Sequence, residues 1–175
     1  MPDKIKELPE YQKNALIENV AKDFLDDDKL RNLLDFLEFL KCNKLTPRRV
    51  SSANWVVKRK GKNLCNLRLN VEEPFWSPTF INATIKGWRL TLNHYELENC
   101  FADREKHLFD DDMKQFIWDY VQEPRCPKNC QNTVTVLGKD CHPVCRCEPI
   151  GIKNPESVAL SNLKKAVLII LSKLA

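Results

Sequence analysis

The spacing of apolar residues changes along the chain. In the first part they recur at helical intervals, which predicts one helix over residues 9–24. The aspartates at 26–28 then supply an N-cap and favourable charge for a second helix. The apolar stripe of that helix comprises Leu30, Leu33, Leu34, Leu37 and Leu40. We therefore expect a helical hairpin over residues 1–46.

In the next part of the chain, apolar and polar residues alternate, which is typical of half-buried β-strands. Two strands, 55–60 and 65–71, are predicted on either side of a turn at Gly61. A second pair is predicted at 81–85 and 88–92. These four strands are expected to form an antiparallel meander with one face packed on helices.

Helical spacing returns in the second half of the chain. Short helices are predicted at 95–101 and 111–121, and the aspartates at 110–112 resemble the capping run before the second helix. A final amphipathic helix begins after Pro155. The inward stripe of that last helix comprises Leu163, Val167, Ile170, Leu171 and Leu174. The fold class is thus α+β, with the helical hairpin at 1–46 followed by an α+β domain at 47–175. That domain contains a four-stranded antiparallel sheet, a Cys-rich hairpin at 126–147 and the final helix.

Composition agrees with a folded protein in a reducing compartment. Hydrophobic residues make up 43% and charged residues 30%, which excludes a disordered chain. No signal-peptide pattern opens the sequence, and the longest apolar run, 166–171, is far shorter than the roughly 20 residues of a membrane span. We expect a cytoplasmic location and no membrane partner. In that setting the eight cysteines are more typical of metal ligands or free thiols than of disulfides.

Five of those cysteines lie close together in the sequence: Cys126, Cys130, Cys141, Cys145 and Cys147. If Gly138 and Lys139 form a tight turn, the numbers of two residues that face each other across the hairpin add up to about 277. This register predicts Cys130 opposite Cys147 and Cys145 beside Asn132. Cys145 and Cys147 would then share one face of a strand, and the loop before Asn132 could close over them. Cys141 would lie near the turn, about 20 Å from Cys147.

Zinc suits this cluster because it is a borderline-soft ion that takes four thiolates in a tetrahedron. A zinc-type β-hairpin is therefore predicted, with a structural zinc as the cofactor. The predicted ligands are Cys126, Cys130, Cys145 and Cys147, with Cys141 and His142 as alternates. An iron–sulfur cluster, a reversible disulfide and unliganded thiols are the alternatives. The three scattered cysteines, Cys42, Cys65 and Cys100, are expected in or near the core.

The C-terminal part contains Cys126-x3-Cys130, Gly138-Lys139 ahead of Cys145, Asn154-Pro155 and a closing Leu-x-x-Lys helix. This pattern resembles that of small uncharacterised bacterial domains of unknown function. The hairpin around Trp55, Lys60-Gly61-Lys62 and Cys65 is similar to theirs as well. The resemblance covers about residues 54–174 and implies an α+β fold that uses Cys126, Cys130 and Cys145. It implies no activity, and Cys141 and Cys147 have no place in it, so the fourth ligand stays open.

Charge and aromatic residues supply the remaining candidate sites. The basic strip, residues 47–70, carries seven basic and no acidic residues, and could contact nucleic-acid phosphates. Acidic segments flank the strip and the net charge is only +4, which argues against a nucleic-acid partner. A small-molecule pocket on the sheet could be lined by Trp76, Trp88, Trp118, Phe75 and Phe80, or these residues could simply pack in the core.

No histidine or carboxylate spacing matches a catalytic arrangement, so no catalytic residue is predicted. We expect a zinc-stabilised binding or interaction module for a protein or small-molecule ligand rather than an enzyme. The alternatives are a nucleic-acid binder that uses the basic strip and a thiol-redox or metal-dependent enzyme.

Overall fold

The computed structural model describes residues 16–22, 25–51, 54–69, 87–92, 103–121, 132–144 and 150–174. The α-helices in these ranges are α1 (Ile17–Lys22), α2 (Asp27–Cys42), α3 (Asp111–Asp119) and α4 (Ser157–Leu174), and a 3-10 helix covers Asp103–Leu108. The strands are β1 (Pro47–Ser51), β2 (Asn54–Arg59), β3 (Lys62–Leu69), β4 (Trp88–Leu92), β5 (Asn132–Val136), β6 (Lys139–Val144) and β7 (Ile150–Lys153). The predicted α+β class is confirmed.

Aspartate side chains begin two of the helices, as the sequence predicts. Asp26 accepts a hydrogen bond from the Lys29 backbone N–H at the start of α2. Asp110 does the same for Met113 at the start of α3, at 2.7 Å. Each carboxylate satisfies an otherwise free N–H and places negative charge at the positive end of the helix dipole. The predicted helix at 95–101 lies outside the described residues.

Five strands form an antiparallel sheet in the order β1-β2-β3-β4-β7. The hairpin of β2 and β3 turns at Lys60 and Gly61, whose φ values of 50° and 79° give the primed turn that two-residue hairpins favour. The predicted pairing of 88–92 with 81–85 is wrong, because β3 and β7 occupy both edges of β4. The four-stranded meander is therefore replaced by a sheet whose last strand comes from much later in the chain.

The inner face of the sheet consists of two cross-strand rows of buried residues. Trp55, Leu67, Leu90 and Ile152 lie side by side on β2, β3, β4 and β7, and each is at most 3% exposed. The neighbouring row comprises Val57, Cys65, Leu92 and Ile150. Both rows share one hydrophobic core with the inward residues of the helices, among them Leu33, Phe36, Leu40, Met113, Ile117, Leu163, Val167 and Ile170.

Polar contacts hold α2 beside α4. Lys164 Nζ lies 2.7 Å from Asp35 Oδ2, and the Asn32 side-chain amide donates to the Pro155 carbonyl at 3.2 Å. The second contact fixes the turn that leads from β7 into α4. Within the described ranges, none of the helices has both the length and the apolar character needed to cross a bilayer.

Candidate functional site

The β5–β6 hairpin turns one residue earlier than the sequence predicts. Its turn residues are Leu137 and Gly138, both with positive φ, and Val136 pairs with Lys139. A register shift between Asn132 and Val134 then brings Asn132 opposite Val144. The predicted placement of Cys145 beside Asn132 is therefore wrong. The error comes from the turn, because Leu137 adopts a left-handed conformation that apolar residues seldom take. The bulge, which the residue pattern does not show, offsets this shift by one residue at Asn132.

The four predicted zinc ligands, Cys126, Cys130, Cys145 and Cys147, lie outside the described residues. Of the alternates, Cys141 lies on β6 opposite Val134, and His142 follows it on the same strand. Cys141 is half-buried against the hydrophobic core, and this burial raises the pKa of its thiol. The part of the chain that is described contains no group of three or more metal-binding side chains. The structural zinc therefore stays a prediction.

Two scattered cysteines have different environments. Cys65 is fully buried in the core, as expected, and burial raises its pKa to about 12. Cys42 is exposed, so its predicted place near the core is wrong. Cys42 is the last residue of α2, and Leu40, two residues before it, is buried. Residues two positions apart in a helix are separated by more than half a turn around its axis, so Cys42 faces away from the core. Cys100 lies outside the described residues.

Trp118 on α3 connects the β5–β6 hairpin to the rest of the protein. Its indole N–H donates to the Val136 carbonyl at 2.7 Å, and Lys139 Nζ lies 5.1 Å from the centre of its ring. Val136 and Leu137 are both buried in the common core. The tip of the hairpin is thus held against α3. Trp118 packs against the hairpin here. Its predicted pocket partners Phe75, Trp76 and Phe80, and the side chain of Trp88, lie outside what the structure describes.

The strands of the five-stranded sheet are rich in basic residues. The strands of this sheet contain eight basic residues and not one acidic residue, although the whole chain has 24 acidic residues. Alternation from the inner rows assigns one of these basic residues on each strand to the outer face. They are Arg48, Lys58, Arg68, Arg89 and Lys153.

Three of these side chains form a direct cross-strand row. Arg68 on β3 pairs with Arg89 on β4, and Arg89 pairs with Lys153 on β7. Adjacent strands lie about 4.8 Å apart, so the row spans about 10 Å. Arg68 and Arg89 are half-buried, whereas Lys153 is exposed, as are Arg48 and Lys58.

Gly151 makes room for one member of this row. Gly151 lies on β7 opposite Thr91 of β4, and the Arg89 side chain crosses over it. A Cβ at Gly151 would lie 2.5 Å from Nη2 and 2.8 Å from Nε of Arg89, which is closer than van der Waals contact allows. The absence of a side chain at residue 151 therefore lets the guanidinium lie against the sheet. Thr91 and Val56 lie in the same cross-strand row as Gly151, and both are buried, with Thr91 only 4% exposed.

The basic strip predicted from the sequence contributes only part of this face. Arg49 belongs to the inner side, where its guanidinium lies 5.1 Å from the centre of the Trp55 ring. Arg89 and Lys153 were missed because they lie outside the strip in sequence. One signal was available for Arg89, since alternation with the inward Leu90 and Leu92 assigns it to the outer face. Nothing in the local sequence indicates that Lys153 lies beside it.

A cleft of about 470 Å³ opens between α3, the end of β7 and the start of α4. Its lining includes Phe116, Tyr120, Asp112, Asp119, Lys153 and Glu156. The carboxylates and Lys153 are exposed and of opposite charge, so the lining favours no single class of ligand. A small-molecule ligand stays a prediction.

Comparison with protein-family models, with curated proteins and with solved structures yields no match. The resemblance to bacterial domains of unknown function therefore stays a prediction too. What the described residues offer chemically is a positively charged sheet face that can bind anions, and its geometry is the basis for a functional proposal.

Proposed function

We propose that this protein is a non-enzymatic binding module whose outer sheet face binds a nucleic acid. The observation that carries the proposal is the basic residue on each of five adjacent strands, in a sheet without acidic residues. The modest net charge argued against such a partner, but net charge averages over the whole surface. Binding depends on the local field, and the sheet concentrates positive charge that the sequence distributes over more than a hundred residues.

The spacing of the basic residues favours a partner with repeated negative charges. Neighbouring strands place the row of Arg68, Arg89 and Lys153 at intervals of about 5 Å, and Arg48 and Lys58 extend the charge to the opposite edge of the sheet. A small anion would occupy only one end of this surface. A phosphate backbone contacts both ends and releases a counterion for each phosphate that is neutralised.

Fluorescence anisotropy with labelled DNA and RNA oligonucleotides tests the proposal. Arg48→Glu with Lys58→Glu changes two exposed residues on the outer face, neither of which belongs to the hydrophobic core. Their removal is expected to weaken binding by at least about tenfold at about 50 mM salt. The wild-type affinity should fall steeply between about 50 and about 200 mM salt.

The matched control is Lys22→Glu with Lys165→Glu, which makes the same change in net charge at two exposed helical residues. This control should weaken binding by less than about threefold, because screened charges far from the bound phosphates act weakly. If no oligonucleotide binds at low salt, or if both double variants weaken binding equally, the outer face is not the binding site and the proposal is wrong.

We also propose that a structural zinc, bound by Cys126, Cys130, Cys145 and Cys147, stabilises the module in the cytoplasm. The pairing of Asn132 with Val144 supports this, because the chain enters and leaves the hairpin at neighbouring points. Cys145 directly follows Val144, and Cys130 precedes Asn132 by two residues. The short chain length between each cysteine and this pair limits how far apart the two thiols can lie. Cytoplasmic reducing conditions would keep the thiols available to the metal.

A further inference from the structure

Strand β1 forms one edge of the five-stranded sheet. β2 pairs with one side of β1, and within the ranges that the structure describes no strand pairs with its other side. Arg48 is exposed and Val50 is 56% exposed, so solvent reaches this strand. The backbone N–H and C=O groups along the outer side of an edge strand can pair with a strand of another chain. The residues of β1 decide how readily such pairing occurs.

The first residue of β1 limits hydrogen bonding at one end of the strand. β1 is only five residues long and begins at Pro47, which has no backbone N–H to donate to a neighbouring strand. Proline is confined to edge strands, strand starts and bulges for this reason. A strand added along β1 therefore lacks one of its hydrogen bonds from the start.

A bulge interrupts β1 near its other end. Arg49 pairs with Trp55 and Ser51 pairs with Asn54, so Val50 is an extra residue without a partner on β2. A bulge breaks the regular spacing of the backbone groups and increases the local twist of the strand. The regular part of β1 therefore ends at Arg49.

The two residues between the proline and the bulge are both arginines. Two copies of the chain that joined their sheets through β1 would be related by a twofold axis, so that β1 pairs with itself. An antiparallel pairing centred on Arg48, on Arg49 or between them places an arginine of one copy opposite an arginine of the other. Like charges directly opposite each other are destabilising. Charge therefore opposes the same pairing that the proline and the bulge weaken.

The opposite edge of the sheet is closed in a different way. β7 has only four residues, and Ile150 pairs with β4 on one side and forms an isolated bridge with Val121 on the other. β7 ends at Lys153, and Asn154, with a φ of 45°, turns the chain towards α4. At β7 another part of the chain occupies the edge, whereas at β1 the strand's own residues discourage pairing.

From these observations we infer that β1 is an edge-protection strand. Pro47, the pair Arg48 and Arg49, and the bulge at Val50 together prevent a second copy of the chain from extending the sheet. The inference goes beyond the proposed function and does not depend on it. It assigns to β1 the task of keeping copies of this protein apart.

The test removes the protection and keeps the strand. The unprotected variant combines Pro47→Thr, Arg48→Thr and deletion of Val50. Threonine favours strands and restores the missing N–H, and the deletion leaves the pairs of Arg49 and Ser51 with β2 in regular register. The matched control is Lys58→Thr, which loses the same single positive charge at an exposed residue of β2, a strand that is paired on both sides.

Sedimentation velocity over a range of protein concentrations measures self-association. The unprotected variant should self-associate at least about tenfold more tightly than wild type, because pairing gains backbone hydrogen bonds and loses a like-charge contact. Lys58→Thr should behave as wild type, and hydrogen exchange of the β1 amides should slow in the associated variant. No increase in association, an equal increase in the control, or association without slower exchange in β1 would overturn the inference.

Thermal melting shows whether each variant is folded. If the deletion of Val50 prevents folding, the double variant Pro47→Thr with Arg48→Thr takes its place. The double variant keeps the bulge, so its self-association should tighten less, by at least about threefold relative to wild type. A folded double variant that self-associates no more than Lys58→Thr would equally overturn the inference.

Discussion

The indole N–H of Trp118 donates a hydrogen bond to the backbone carbonyl of Val136 at 2.7 Å. Trp118 belongs to α3 and Val136 to the last position of β5, so this bond joins a helix of the core to the two-stranded hairpin. Val136 and its neighbour Leu137 are buried at the same point. The attachment therefore combines one directed bond with apolar packing, and each part can be tested.

Trp118→Phe should lower the free energy of unfolding by about 1 to 2 kcal/mol, because a buried carbonyl loses its donor while the aromatic ring is largely kept. Urea unfolding measures this, and hydrogen exchange should accelerate in β5 and β6. The control is Thr135→Val, which removes an exposed hydrogen bond to Asp140 in the same hairpin and should cost less than about 0.5 kcal/mol. Equal effects of the two variants would mean that the Trp118 bond has no special role.

Burial along α4 predicts very different costs for two leucines of one helix. Leu163 is 0% exposed in the common core, whereas Leu168 is 45% exposed. Leu163→Ala should destabilise the protein by about 2 to 5 kcal/mol through lost burial and the remaining cavity. Leu168→Ala should cost less than about 1 kcal/mol. Thermal or urea unfolding of both variants measures the two losses of stability. Similar losses would contradict the orientation of α4, in which Leu163 faces the core and Leu168 faces outward.

Stability at alkaline pH should depend on Cys65. Burial raises the pKa of this thiol from 9.0 to about 12, so the unfolded chain loses the proton at lower pH than the folded chain does. The contribution of Cys65 to stability is complete below pH 9 and declines as pH rises from there towards 12. The decline should be about 1.4 kcal/mol per pH unit.

The measurement is urea unfolding of wild type and Cys65→Ala at several pH values from neutral to alkaline. The variant should be less stable at neutral pH because of the smaller side chain, and the difference between the two proteins should shrink above pH 9. A constant difference would contradict the raised pKa. Alkylation of the native protein provides an independent check, because exposed Cys42 should react and Cys65 should not.

Removal of the proposed zinc should destabilise the protein. Elemental analysis is expected to find about one zinc per chain, and chelation should lower stability by about 3 kcal/mol or more, which corresponds to a fall in Tm of roughly 6 to 12 °C. Cys130→Ser should remove the metal, whereas the control Cys42→Ser, at an exposed cysteine outside the cluster, should retain it. A metal-free protein whose Tm ignores the chelator would exclude the zinc site.

Local patterns predicted the elements that depend on neighbouring residues. The aspartates before α2 and α3 are caps, since an N-cap acts within one helical turn. The Lys60 and Gly61 turn and the alternation of β2 and β3 were predictable for the same reason. The zinc ligands could be suggested by spacing alone, but the hairpin register that relates them shifted with one turn residue and one bulge.

By itself, the sequence determined the fold class, the helix caps and the inward residues of α2 and α4, because these follow from periodicity and short-range hydrogen bonding. Only the tertiary structure decided that β7 pairs with β4 and so brings Lys153 beside Arg89. Pairing between strands so distant in sequence is set by which edge is open and which faces can be buried together. The basic outer face is a product of that pairing, and for this reason the linear charge pattern showed only part of it.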